Sequence, residues 1–331
     1  MPSWPSVERY SETAFRRCGA SGLVLPPISL GLWQNFGGAD APEDGRAIVR
    51  RAFDRGVTHF DLANNYGPPP GAAEAAFGHI LQTDLRPFRD EILISTKAGY
   101  GMWPGPYGDG GSRKYLLASL DASLRRLGLD YVDIFYHHRP DPATPLSETA
   151  AALAQAVRSG RALYAAISNY PEPLALDMAR ELAALGTPCL IYQGRYSLLD
   201  RSADDGLLAA LQRAQIGFAA FSPLAQGLLT GKYRGDTPPP DARMARAGSL
   251  PPERLTPQVR ALLASMAPIA ERRGQSMAQL ALAWVLRDMR VSTAVVGART
   301  VQHLDELLDV SRAGGLDADD LVAFEQALSH S

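Results

Sequence analysis

Short runs rich in β-branched and aromatic residues alternate with longer amphipathic segments from about residue 28 to residue 312. This alternation favours parallel strands, because each crossover helix returns the chain to the same edge of the sheet. Eight such runs are present, and eight parallel strands close a (β/α)8 TIM barrel. The pattern therefore predicts an α/β barrel with strands at residues 28–33, 59–63, 92–97, 134–138, 163–168, 190–193, 218–222 and 294–297.

The segments between these runs have the pattern of helices that pack on a sheet. In residues 114–127 the leucines recur at intervals of three and four, which places them on one helical face. Gly128 follows the last leucine, where a left-handed C-cap is expected, and Ser276 precedes a later apolar segment as an N-cap. The local end signals agree with the predicted boundaries.

Three further segments complete the predicted architecture, which treats residues 1–331 as a single domain. Residues 15–18 and 23–25 flank a Gly-containing turn and predict a β-hairpin that plugs one end of the barrel. The loops at 99–113 and 233–257 exceed the usual connection length. Long barrel loops commonly cover an active site, so we expect these two to form the lid.

Charge and cysteine content exclude several classes of function. Lys plus Arg (33) nearly balances Asp plus Glu (35), so no global field attracts nucleic acid or an anionic membrane. Cys18 and Cys189 are too few for a disulfide framework and lack metal-ligand spacing, so no metal site is predicted. No export signal or run of eighteen apolar residues is present. We expect a cytoplasmic protein whose partner is a small molecule. The sequence leaves open whether the protein forms a homo-oligomer.

Four polar residues follow or end the second, third and fourth predicted strands, where a barrel enzyme carries its chemistry. Asp61 ends the second strand and Tyr66 lies just beyond it, while Lys97 and His138 end the next two. Side chains alternate between the two faces of a strand, and this alternation allows Asp61, Lys97 and His138 to be placed on the inward faces of their strands. An inward carboxylate and ammonium must pair, because an unpaired buried charge is costly.

This arrangement suggests proton transfer. An ammonium beside a phenol favours the phenolate, so we expect the pKa of Tyr66 to fall from about 10 towards neutrality. Tyr66 then serves as general acid, and His138 orients a substrate carbonyl. The alternative is a structural ion pair of Asp61 with Lys97. The histidines at 59 and 79 have no partner motif and are interpreted as surface or packing residues.

The same residues resemble the tetrad of the aldo-keto reductases in order and strand placement. Longer matches support this resemblance, namely SLGLW at 29–33, THFDLANNYGPPPGAAE from 58, STKAGY from 95, MWPGPYGDGGSRKYLLASLD from 102 and FSPLAQGLLTGKY from 221. They are similar to the family branch that contains bacterial L-glyceraldehyde 3-phosphate reductases and is related to potassium channel β subunits. The resemblance covers nearly the whole chain.

The resemblance implies hydride transfer from NADP(H) bound at the top of the barrel without a Rossmann motif. Aromatic residues near strand ends, including Tyr100, are also suited to line a substrate pocket. By similarity, the cofactor-binding positions are Trp33, Asp61, Ser168, Asn169, Gln193, Phe221, Ser222, Pro223, Leu224, Gln226, Gly227, Lys232, Gly297, Arg299, His303 and Glu306, and the substrate-binding positions are Trp33, Tyr66, Trp103 and His138.

The segment after the last strand departs from the family pattern. His303 and Leu307 stand where related members commonly carry Gln or Arg and Asn, respectively. Arg299 is the reason to expect NADP, because a guanidinium binds a phosphate through two hydrogen bonds.

The implied activity is reduction of short aldehydes such as glyceraldehyde 3-phosphate or methylglyoxal. Two alternatives stay open. One is a regulatory subunit that senses the nicotinamide nucleotide, and the other is an NAD(P)-dependent sugar or alcohol dehydrogenase.

Overall fold

A computed structural model of the protein describes residues 4–33, 36–37, 42–235, 244, 250–310 and 314–329. Its strands are β1 (Arg16–Arg17), β2 (Val24–Leu25), β3 (Ile28–Gly31), β4 (His59–Asp61), β5 (Leu93–Ala98), β6 (Val132–His137), β7 (Ala162–Ser168), β8 (Cys189–Arg195), β9 (Gly217–Phe221) and β10 (Val291–Val296). Strands β3 to β10 form a closed parallel barrel in the order β10-β3-β4-β5-β6-β7-β8-β9. The predicted (β/α)8 barrel is confirmed.

The helices surround this barrel. They are α1 (Pro42–Asp54), α2 (Ala72–Ile80), α3 (Arg113–Leu127), α4 (Leu146–Arg158), α5 (Glu172–Ala184), α6 (Leu207–Arg213), α7 (Pro257–Arg272), α8 (Met277–Leu286), α9 (Val301–Leu308) and α10 (Ala318–Ser329). Among the residues described, no helix combines the length and apolar character needed to cross a bilayer.

Helix ends follow the predicted capping chemistry. The Ser112 hydroxyl accepts from the backbone N–H of Tyr115 at the start of α3, and Gly128 ends that helix with φ 66°. At the start of α8, Ser276 and Gln279 form a reciprocal capping box. These bonds satisfy backbone groups that a helix terminus otherwise leaves unpaired.

All eight predicted barrel strands exist, and their ends differ from the predictions by at most three residues. The largest difference is in β10, which begins at Val291 rather than at 294. Ser292 and Thr293 are polar and lack a strand-like pattern, so the prediction left them in the preceding loop. In the structure both are buried, and the Thr293 hydroxyl bonds with that of Ser29 at 2.7 Å.

The N-terminal hairpin formed by β1 and β2 closes the bottom of the barrel, where the strands begin. The guanidinium of Arg16 donates to the carbonyl oxygens of Leu286 (2.7 Å) and Val291 (3.0 Å). Cys18 and Leu25 are fully buried in the cluster that fills the barrel interior. Among the described residues, the hairpin thus covers the barrel interior at the end where the strands begin.

The two predicted long loops have different outcomes. Residues 99–112 contain neither helix nor strand and connect β5 to α3. The second loop contains a short 3-10 helix at Pro252–Arg254, while residues 236–243 and 245–249 of it lie outside the described residues.

Candidate active site

The four predicted tetrad residues come together at the C-terminal ends of β4, β5 and β6. The Lys97 ammonium donates to Oδ2 of Asp61 at 2.6 Å and to the carbonyl oxygen of Leu62 at 2.7 Å. The same nitrogen lies 5.1 Å from the centroid of the Tyr66 ring. The rings of Tyr66 and His138 are 5.9 Å apart. The sequence prediction of a single cluster is confirmed by this geometry.

The Asp61–Lys97 ion pair is almost completely removed from water, and additional hydrogen bonds explain how the fold tolerates it. Oδ1 of Asp61 accepts from the Ser95 hydroxyl at 2.6 Å and from the Gln193 amide at 3.1 Å. A buried carboxylate is stable only when its oxygens are satisfied in this way. The pair is thus a fixed charge arrangement beneath the phenol.

The predicted direction of the pKa shift at Tyr66 is wrong. Burial of the phenol, followed by the nearby carboxylate of Asp61, raises the pKa of Tyr66 well above 10. The sequence argument counted the ammonium but could not weigh it against the carboxylate and the loss of water. Burial also lowers the pKa of Lys97, against the opposing effect of Asp61. Tyr66 therefore holds its proton at neutral pH, which is the state that a proton donor requires.

His138 packs between two tyrosine rings at the mouth of the barrel. Its ring lies 5.9 Å from that of Tyr66 and 4.7 Å from that of Tyr100. Burial and then the positive charge of Lys97 lower the pKa of His138 well below 6.5. The ring is therefore neutral at physiological pH, with one protonated nitrogen available to a substrate oxygen.

Three buried neutral histidines predict sensitivity to acid. Burial lowers the pKa of His59 and of His137, which bonds with Tyr170, to about 4, and it lowers the pKa of His138 well below 6.5. In the unfolded chain each titrates near 6.5, so stability is complete above that pH and is lost as pH falls towards 4. In urea titrations we expect the free energy of unfolding to drop by about 2 kcal/mol per histidine between pH 7.5 and pH 5.

The exposed His79 supplies the control for this acid sensitivity. His79→Gln should leave the slope of stability against pH unchanged, because this side chain is exposed to water in the folded protein. A stability that stays flat between pH 7.5 and pH 5 in the unmodified protein would contradict the assignment of neutral buried rings.

Aromatic side chains border the cluster. Trp33 is 41% exposed, and its ring lies 6.4 Å from that of Tyr66. Tyr100 covers His138, and the Arg139 guanidinium lies 4.7 Å from its ring. Trp103, a predicted substrate contact, packs against Tyr115, and the two ring centroids are 5.3 Å apart. The tetrad therefore has an apolar, aromatic rim suited to a small organic substrate.

Amide and hydroxyl groups from β7 and β8 meet beside the tetrad. The Asn169 amide donates to the carbonyl oxygen of His138 at 3.1 Å and to the Ser168 hydroxyl at 3.0 Å. The backbone N–H of Asn169, which has φ 61°, donates to the carbonyl of Gln193. These bonds fix the three predicted polar side chains at one edge of the site.

The segment after β9 has an unusual backbone. Ser222, Ala225 and Gln226 have φ values of 52°, 48° and 59°, although none is glycine. Each such residue costs about 1–3 kcal/mol, and such strain concentrates at ligand-binding sites. A cavity of about 190 Å³ opens here, and its lining includes Arg195 and Arg254. The carboxylate of Asp200 also lines this cavity and lies 3.6 Å from Arg195, so the charges of the lining partly compensate one another.

The segment after β10 carries the remaining predicted contacts. Thr300 caps α9 by accepting from the backbone N–H of His303 at 3.1 Å. His303 and Glu306 are partly exposed and lie one turn apart, with Arg299 just before the cap. Leu307, where the family pattern has a polar residue, is instead buried in the core.

Sequence reasoning missed two residues beneath the tetrad. His59, interpreted from sequence as a surface or packing residue, is fully buried and bonds with Ser29 and Ser95, two contacts that the sequence reasoning did not anticipate. The sequence spacing does indicate that both residues point inward, because His59 and Ser95 each lie two residues before a tetrad member and so share its face of the strand.

Comparisons with known proteins agree with this geometry. The profile of the Aldo/keto reductase family matches residues 27–329. The chain belongs to the aldo-keto reductase family. The L-glyceraldehyde 3-phosphate reductase of Escherichia coli O157:H7 is 53% identical over 327 residues, covering 97% of this chain and 94% of the relative. That of Escherichia coli (strain K12) is 56% identical over 304 residues, covering 90% and 88%.

A more distant relative of this aldo-keto reductase is the probable voltage-gated potassium channel subunit beta of Arabidopsis thaliana. It is 34% identical over 298 residues, which cover 88% of this chain and 89% of the relative. The names of these relatives thus include both an enzyme and a channel subunit.

Proposed function

We propose that this aldo-keto reductase is an NADP(H)-dependent reductase of small aldehydes in which Tyr66 donates the proton. One observation carries the proposal: the Tyr66 ring lies 5.1 Å from the ammonium of the buried Asp61–Lys97 ion pair, and the His138 ring lies 5.9 Å from the Tyr66 ring. A structural ion pair alone does not require a phenol and an imidazole at the open end of the barrel.

The protein's own groups have separate tasks. His138 donates a hydrogen bond that holds the substrate carbonyl oxygen against the phenol. Tyr66 gives its proton to that oxygen as negative charge develops there, and the nearby ammonium of Lys97 stabilises the phenolate that remains. When bound, a reduced nicotinamide supplies the hydride for the carbonyl carbon. Asp61 keeps the ammonium in place.

The residues present fit that cofactor. Ser168, Asn169 and Gln193 offer the amide and hydroxyl groups that orient a carboxamide, and Phe221 offers a flat apolar face. The strained segment at 222–227, with Pro223, Leu224 and Gly227, and the ammonium of Lys232 suit a pyrophosphate. The positions suited to the adenosine end are Gly297, Arg299, His303 and Glu306.

The substrate class follows from the relatives and from the rim. Two relatives that are 53% and 56% identical over the aligned residues are named L-glyceraldehyde 3-phosphate reductases. An aromatic rim around Tyr66 and His138 accepts a short carbonyl compound with little further recognition. We therefore infer short hydroxyaldehydes, glyceraldehyde 3-phosphate and methylglyoxal as substrates.

Steady-state turnover of these aldehydes with NADPH and NADH tests the proposal. We expect turnover with glyceraldehyde 3-phosphate and a preference for NADPH. Faster oxidation of sugars or alcohols than reduction of any aldehyde would indicate a dehydrogenase. Tight binding of NADPH with no turnover would indicate a nucleotide-sensing subunit, the alternative favoured by the channel-subunit relative.

Replacement of Arg299 tests the choice between the two nucleotides. We expect Arg299→Ala to weaken NADPH binding by about 10- to 100-fold and NADH binding by less than about threefold, because a guanidinium contacts the phosphate that only NADPH carries. Fluorescence titration of both cofactors measures this. Arg290→Ala, which removes an arginine just before the start of β10 at the opposite end of the barrel, is the control. Equal weakening of both cofactors would contradict the assigned role.

A further inference from the structure

A chain of hydrogen bonds crosses the barrel interior below the tetrad. The Thr293 and Ser29 hydroxyls are 2.7 Å apart, and Ser29 lies 2.8 Å from Nδ1 of His59. On the other side of the imidazole, Nε2 lies 3.1 Å from the Ser95 hydroxyl. That hydroxyl donates to Oδ1 of Asp61 at 2.6 Å. Four neighbouring strands, β10, β3, β4 and β5, thus join in one path that ends at the tetrad carboxylate.

The path has only one consistent direction. Ionised Asp61 accepts hydrogen bonds and donates none, so the single proton of the Ser95 hydroxyl points to it. Ser95 must then accept from His59, which places the ring proton on Nε2. Nδ1 is left as an acceptor and takes the proton of the Ser29 hydroxyl, and Ser29 in turn accepts from Thr293. Every donor in the chain therefore points towards Asp61.

The surroundings keep the imidazole in this single state. Ser29, His59, Ser95 and Thr293 are all fully buried. The opposite half of the interior is an apolar cluster that contains Ile134, Tyr136, Ala166, Leu190 and Ala219. Burial lowers the pKa of His59 to about 4, so the ring remains neutral from pH 5.5 to pH 8. Polar side chains at four adjacent inward positions, in a barrel otherwise filled with apolar groups, require an explanation beyond packing.

We propose that His59 is a positioning residue that acts on Asp61 through Ser95. Its protonated Nε2 orients the Ser95 hydroxyl, so that one oxygen of Asp61 is occupied and the other is left for Lys97. Gln193 bonds with the same Oδ1 at 3.1 Å, which further separates the tasks of the two carboxylate oxygens. The inference rests on the proposed reductase function, because it assigns His59 to the same reaction.

The tautomer of His59 is the direct test, and it needs no activity. The protein is prepared with histidine labelled by ¹⁵N in the ring, and the six histidines are observed by long-range ¹H–¹⁵N correlation. Loss of one signal set in His59→Gln assigns the residue. We expect protonated Nε2 and bare Nδ1 from pH 5.5 to pH 8. A proton on Nδ1, or conversion to imidazolium within that range, would overturn the proposal.

A set of variants tests whether the effect passes through Ser95. His59→Leu removes the donor and should lower kcat about tenfold, the value of about one hydrogen bond to a charged network. His59→Gln keeps an amide donor near the position of Nε2 and should retain kcat within about threefold. Ser95→Ala should lower kcat by an amount similar to His59→Leu, and NADPH binding should remain unchanged in all three.

The double variant His59→Leu with Ser95→Ala completes the cycle. If His59 acts through Ser95, the double variant loses no more kcat than Ser95→Ala alone. Multiplied losses would overturn the proposal, as would equal losses in the Leu and Gln variants. His79→Leu, which removes an exposed histidine, is the control. If the unmodified protein reduced no aldehyde, the proposed function would be wrong. The tautomer of His59 is measured without turnover, so it would still test the hydrogen-bond path.

Discussion

Tyr66→Phe should bind NADPH normally and lose about three or more powers of ten in turnover. The phenyl ring keeps the contacts of the tyrosine ring with Trp33 and His138. The variant lacks the hydroxyl proton, and general-acid transfer together with positioning accelerates a reaction by about three or more powers of ten. Steady-state kinetics give the loss in kcat, and fluorescence titration gives the cofactor affinity.

The matched control for this variant is Tyr136→Phe. The Tyr136 ring lies 5.3 Å from the Lys97 ammonium, against 5.1 Å for Tyr66, but its hydroxyl is buried without a hydrogen-bond partner among the described residues. Removing it deletes the same atom near the same charge, and we expect turnover within about threefold of the unmodified protein. Similar losses in the two variants would contradict a specific role for Tyr66.

Lys97→Met should abolish measurable turnover and lower the free energy of unfolding by about 3–5 kcal/mol. The methionine leaves the carboxylate of Asp61 buried without its cation, and breaking one side of a buried pair costs about this much. The Ser95 and Gln193 donors remain, but they carry no charge. Urea denaturation measures the stability, and turnover of glyceraldehyde 3-phosphate measures the activity.

A double variant separates stability from chemistry at this pair. Asp61→Leu combined with Lys97→Met removes both charges, and buried pairs replaced by apolar side chains commonly regain stability. We expect the double variant to unfold at a higher urea concentration than Lys97→Met alone while remaining inactive. Recovery of turnover in the double variant would contradict a catalytic role of the ion pair.

Periodicity made the barrel and the tetrad predictable. Strands of a parallel barrel have a simple alternation of inward and outward residues, so Asp61, Lys97 and His138 could be placed on one face from sequence alone. The predicted strand ends were less accurate, because the two consecutive polar residues Ser292 and Thr293 give no strand pattern in the sequence, although both are buried in the folded barrel.

The electrostatics were not predictable in the same way. The pKa of Tyr66 depends on burial and on a balance between Lys97 and Asp61, which requires distances. The hydrogen-bond path through His59 likewise joins residues from strands that are far apart in sequence, such as Ser29 and Thr293. Each residue alone resembles an isolated polar group. Only the closed barrel brings them into one network.

The central claim is that the phenol of Tyr66, placed over the Asp61–Lys97 pair, completes the reduction of a carbonyl. Stopped-flow mixing of NADPH-loaded protein with glyceraldehyde 3-phosphate measures this step in a single turnover. We predict rapid loss of the reduced-nicotinamide signal in the unmodified protein and a rate lower by about three or more powers of ten in equally loaded Tyr66→Phe. Equal rates in the two proteins, or no oxidation in either, would contradict the account.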